Sequence, residues 1–123
     1  MVDILNYGTD RGARINANKY GIDVITDRYD FEVEIKHNWK GHDFPYDTMH
    51  YATRKRKFCN VRSFFVTFNS DATRYFITHS SSLIEQHTII KDTSLTGQEA
   101  FIEVPVRLGN FHDVPTQLRK AYP

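Results

Sequence analysis

"DFEVEIKHNW", residues 30–39, alternates in the manner of a strand. Successive side chains on a strand point to opposite faces. Phe31, Val33 and Ile35 would therefore share one face, and Glu32, Glu34 and Lys36 the other. The first face covers a core. The second, with its carboxylates and an ammonium, is either solvated or chemically employed, and the neighbouring strand decides which.

That neighbour is "GIDVIT", 21–26, joined through the turn-forming "DRYD", 27–30. A loop of Arg28–Tyr29 alone and a loop over 27–30 give the same register, with Asp23 directly opposite Glu34. Ile22 and Val24 then join the apolar face. Opposed residues share a face with Cβ atoms about 5 Å apart, so the two carboxylates would repel. A hard divalent cation removes that penalty. Mg²⁺ prefers octahedral oxygen coordination and is usually held by one or two carboxylates plus waters and phosphate oxygens. Asp23, Glu34 and the backbone carbonyl near Ile35 would supply such a half-shell, with Lys36 facing the scissile phosphate or the attacking water.

Asp23, ten intervening residues and then Glu34-Ile35-Lys36 in adjacent strands resembles the core of the PD-(D/E)XK nuclease superfamily. A looser similarity runs through "W…FPYDTMHYATRKRKF" and "FFVTFN…RYFITHS", which look like small nuclease-like proteins of phage and bacteria. The resemblance implies a restriction-endonuclease-like core and a metal-dependent endonuclease acting on DNA, with Mg²⁺ or Mn²⁺ as cofactor. It assigns Asp23 and Glu34 to the metal and Lys36 to assisting hydrolysis. It also implies residence in the cytoplasm of a bacterium or a phage-infected host. Ile22 stands where the motif has proline. No glutamate precedes Glu32, so the acid that the first helix often supplies falls to Asp10 or Asp3.

The rest of the chain predicts one α+β domain over 1–123, with a mixed, mainly antiparallel central sheet and few short helices. "TDRGARINANK", 9–19, has helix caps at Thr9 or Asp10, and "SSSLIEQH", 80–87, has serine caps. "TMHYA" (48–52), the hairpin "RSFFVTFN" (62–69) with "TRYFITHS" (73–80), and "EAFIEVPV" (99–106) read as strands. Pro105 puts the last at a sheet edge or a strand end. The segment "NWKGHDFPYD", 38–47, is a loop in which Trp39, Phe44 and Tyr46 act as anchors rather than as a base-stacking surface. With 123 residues, 40% of them hydrophobic, the chain can bury one core. A single cysteine, Cys59, excludes an intramolecular disulfide and fits a reducing compartment. No apolar run reaches the roughly 20 residues of a membrane span, and "MVDILNYGTDRG" lacks a signal-peptide pattern.

Arg54, Lys55, Arg56 and Lys57 form a basic run that is either a solvated face or a grip on DNA or RNA phosphates. His37, His42, His50 and Cys59 do not have the paired spacings of a structural zinc site. Two rival functions use the same features: a nucleic-acid-binding module without turnover, and a structural or regulatory domain that binds another protein. A domain of this size covers little DNA, so cutting two strands would call for a homodimer.

Overall fold

The computed structural model describes residues 1–2, 4, 12–84, 88–93 and 97–115. Its strands are β1 (Arg14–Ile15), β2 (Val24–Ile25), β3 (Asp30–Ile35), β4 (Thr48–Ala52), β5 (Ser63–Phe68), β6 (Arg74–His79), β7 (Thr88–Thr93), β8 (Gly97–Pro105) and β9 (Asn110–Asp113). A short helix, α1 (Ser81–Ile84), follows β6, and 3-10 turns cover Thr53–Phe58 and Val106–Leu108. The strands form a six-stranded mixed sheet in the order β1-β2-β3-β5-β6-β9 and a three-stranded sheet in the order β4-β8-β7. This is the expected α+β class, built on two sheets instead of one.

β3 and β5 run parallel, so the chain between them must cross over rather than turn back. That crossover contains β4 and the Thr53–Phe58 turn. It carries them over the face of β3 that bears Glu32 and Glu34. β5 and β6 then form the expected hairpin, from Phe68↔Tyr75 to Phe64↔His79. Buried Asn69 shapes its turn: Oδ1 accepts the Thr73 and Arg74 N–H groups at 2.9 and 3.0 Å.

The β2–β3 register differs from expectation. Val24 pairs with Phe31 and Ile25 with Asp30, which continues to Asp23 opposite Glu32 rather than Glu34. The cause is Thr26. Its buried hydroxyl accepts the Arg28 and Tyr29 N–H groups at 3.2 and 2.8 Å and donates to the Tyr29 carbonyl at 2.9 Å. The tight turn therefore spans Thr26–Tyr29, and Asp30 opens β3 instead of closing the loop. A shift of two residues keeps every side chain on its predicted face.

Each face of β3 meets a different core. Phe31 and Val33 pack with Val24, Val66 and Phe68, and the N-terminal Met1, Val2 and Ile4 cover that side. On the other side Phe65 and Phe76 meet Met49, Tyr51, Ile102 and Val104 of the smaller sheet, with Trp39 and Leu83 completing the cluster. Glu32 and Glu34 pair with Phe65 and Thr67 of β5, so they lie beside this second core. The charged face of β3 is thus largely covered by protein.

Other expectations change in part. Arg14–Ile15 is a strand, not part of a helix; residues 9–11, which include Asp10, lie outside the described residues, as does Asp3. The strand expected over 99–106 is central in its sheet and ends at Pro105, the strand end that was one of its two expected placements, where a missing N–H costs no ladder bond. Strands β7 and β9 were not expected. Among the described residues, no helix is long and apolar enough to cross a membrane.

Candidate functional site

Glu32 is the buried member of the charged row, only 6% exposed. Its Oε2 accepts an ion-pair hydrogen bond from Lys55 Nζ, while its buried Oε1 has no hydrogen-bond partner. Burial pushes its carboxyl above the ordinary value of 4.5; Lys55 pulls it down, and Asp23, through the contact between the two carboxyls and then as a like charge, pushes it up again. Asp23 immediately precedes β2 and is exposed. Its Oδ2 accepts the Val33 N–H at 2.9 Å, which takes the place of a backbone carbonyl where β2 stops pairing. The structure therefore brings Asp23 to Glu32, a residue that the expected register passed over. The signal was present in the sequence: Glu32 shares the alternating face with Glu34.

Glu34 is half-buried, and its Oε1 accepts from Thr67 Oγ1 at 3.5 Å. Tyr51 lies over the same two residues. Burial pushes its phenol well above the usual range, Thr67 offsets this in part, and the negative charge of Glu34 adds to it. Ile35 ends β3 with its side chain half exposed. Lys36 continues the charged row, and its Nζ donates to the His50 carbonyl at 3.0 Å. It reaches into a cavity of about 360 Å³ shared with Asn38, Phe44, Tyr46, Thr48, His50 and Glu103. His50 and Glu103 face each other across β4 and β8. His50 Nε2 lies 3.3 Å from Glu103 Oε2 and 3.2 Å from Thr48 Oγ1. Neither residue was singled out from sequence as part of this site.

The basic run forms the Thr53–Phe58 turn, and its members do different things. Lys55 folds inward onto Glu32, and Arg54 pairs with Glu99 of β8. Arg56 and Lys57 are exposed, Lys57 lying 5.0 Å from the Phe58 ring centre. Arg62 serves the hairpin, donating to the Thr26 carbonyl at 3.3 Å. His42 sits away from His50, bracketed by Asp43 and Asp113 at 2.8 and 3.2 Å. Burial raises the Cys59 thiol and Arg56 partly offsets this, which leaves Cys59 a poor nucleophile.

Whether a cation fits can be judged from the acids themselves. Among the described residues, no group of three or more His, Cys, Asp or Glu side chains is arranged to hold a metal. Two carboxylates, one with a buried unpartnered oxygen beside its neighbour, remain a fit for Mg²⁺, which takes the rest of its shell from water and phosphate. Compared with models of protein families, with curated proteins and with solved structures, the chain matches none.

Proposed function

We propose that the acid row of β3 binds Mg²⁺ or Mn²⁺ and that the protein is a metal-dependent endonuclease hydrolysing phosphodiester bonds in DNA. The observation that carries this is the unpartnered, buried Glu32 Oε1 set against Asp23. A buried carboxylate oxygen without a partner is costly, and a cation at that position would satisfy it. In this reading Asp23 and Glu32, the pair that the register brings together, would hold the cation, while Glu34 and the Ile35 carbonyl, to which the resemblance to the PD-(D/E)XK nucleases and their restriction-endonuclease-like core assigns it, would face it from further along the same row. When bound, the cation supplies Lewis-acid polarisation of the phosphoryl group and lowers the pKa of water. Lys36 then stabilises charge on the phosphate, and Lys55 keeps Glu32 in place. Asp23 keeps β3 and the end of β2 in register through Val33.

Cation binding should depend on pH, with a sign fixed by Glu32. A carboxyl whose pKa is raised in the folded protein holds its proton above 4.5, and binding a cation must displace it. Stabilisation by Mg²⁺ or Mn²⁺ should therefore grow as pH rises from 4.5 through the raised value and then level off. Thermal melts at fixed cation concentration read this directly. A shift independent of pH would remove Glu32 from the site.

A nucleic-acid-binding module without turnover is the second reading. It is favoured by the tasks that Asp23 and Lys36 already have, the first on the Val33 N–H and the second on the His50 carbonyl. Both readings place phosphates near exposed Arg56 and Lys57. Replacing these two by alanine should flatten the log–log salt dependence of DNA binding by about 0.9 for each phosphate no longer neutralised. Arg54→Ala should leave the slope unchanged, because Arg54 is paired with Glu99. An unchanged slope in the double variant would make the run a solvated face.

A further inference from the structure

The cavity beside Lys36 has walls of distinct chemistry. Lys36 supplies a cation on one side. Glu103, held by His50, also lines the cavity and turns an anion away from its own part of it, toward Lys36. The third wall is aromatic. Phe44 packs edge-on against Trp39 at 5.3 Å and against Tyr46 at 5.5 Å, so this wall is fixed from behind by the core. Trp39 and Phe44 are the loop anchors the sequence suggested, but Tyr46 stays 59% exposed at the cavity mouth. An exposed ring beside a cation is an arrangement by which proteins hold unpaired bases: the ring stacks and the cation tracks the backbone.

Volume selects the ligand further. About 360 Å³ lies at the small end of the roughly 300–1,000 Å³ range of small-molecule sites. This accommodates a nucleotide unit and not a helix. A base inside continuous duplex is stacked and paired, and extruding it costs a few kcal/mol, least where it is already unpaired.

We propose that this cavity takes one unpaired nucleotide of single-stranded or frayed nucleic acid, its base against Tyr46 and Phe44 and its phosphate toward Lys36. Only the placement of the phosphate rests on the hydrolytic reading above. Asn38 and Thr48, which also line the cavity, carry donors and acceptors for the base edge or sugar.

The test is binding in EDTA, so that no hydrolysis is needed. A single-stranded octamer carrying one 2-aminopurine is titrated with wild-type protein, with a blunt hairpin duplex as competitor. Wild type should quench the probe and prefer the single strand. Tyr46→Ala should weaken that binding by roughly tenfold, the loss expected for one stacking ring, while Tyr46→Phe keeps it. Tyr46 is exposed, so circular dichroism should show the variant folded. Equal affinity of wild type for strand and duplex, or unchanged binding by folded Tyr46→Ala, overturns the proposal. A wild type that passes this test yet never cleaves with Mg²⁺ keeps the pocket and loses the hydrolytic reading. One that cleaves while Tyr46→Ala binds normally does the reverse.

Discussion

Glu34→Gln and Lys36→Gln should each lower cation-dependent strand cleavage by about 10²–10³, the usual cost of removing one preorganised charge from a transition state. Both changes spare the fold. Glutamine at 34 can still accept from Thr67, whose hydroxyl lies 3.5 Å from Glu34 Oε1. Glutamine at 36 can still donate to the His50 carbonyl. What each loses is charge: a negative charge facing the cation in the first case, stabilisation of the phosphate in the second. Asp23→Asn belongs in the same set, since its amide oxygen can keep the Val33 N–H. Asp23→Ala cannot, and should also cost about 1 kcal/mol of stability through the lost hydrogen bond from the Val33 N–H. Initial rates with Mg²⁺, beside thermal melts, separate the two effects. Wild-type rates in Glu34→Gln would remove Glu34 from the mechanism.

Lys55→Ala should destabilise the protein by about 3 kcal/mol at neutral pH, at the low end of the roughly 3–5 kcal/mol for breaking a buried ion pair. The low end applies because Glu32, whose carboxyl is already raised, can take up a proton once its partner is gone. For a domain of this size that loss corresponds to a fall in Tm of roughly 10–15 °C. The pH dependence has a definite sign. An acid whose folded-state pKa is raised contributes stability below its unfolded value of 4.5 and loses it as pH rises through the folded value. The variant lacks the cation that restrains this rise, so its deficit should widen with pH above 4.5. It should nearly close at lower pH, where Glu32 is protonated in both proteins. A deficit that stays constant across this range would mean Lys55 acts through its packing alone.

Much of this architecture was legible because alternation fixes faces. The patterns in 31–37, 48–52, 62–69 and 73–80 place β3, β4, β5 and β6, and the apolar face of β3 meets the core expected of it. Register was not legible. It turned on one hydroxyl: Thr26 can end a strand or organise a turn, and only the tertiary fold shows that it does the second. That moved the partner of Asp23 from Glu34 to Glu32 without changing its face. The second sheet was hidden for a related reason. β7 was not expected as a strand, and Pro105 allowed β8 to be either an edge strand or a strand ending there; it is the second, flanked on both sides. The basic run shows the limit of composition. Four adjacent cations look alike in sequence, yet the crossover turns Lys55 inward to Glu32 and leaves Arg56 and Lys57 outside. The cavity was invisible for the same reason, because Lys36, His50 and Glu103 meet only when the two sheets pack together.

The central claim, that the acid row of β3 is a cation-dependent hydrolytic centre, is tested most directly by a cleavage time course. Wild-type protein is incubated with supercoiled plasmid and with a single-stranded oligonucleotide in Mg²⁺, in Mn²⁺ or in EDTA. The account predicts cutting with either cation, none in EDTA, and a rate reduced by about 10²–10³ in Glu34→Gln. Equal cutting in EDTA, or no cutting of any nucleic acid with either cation, would contradict it.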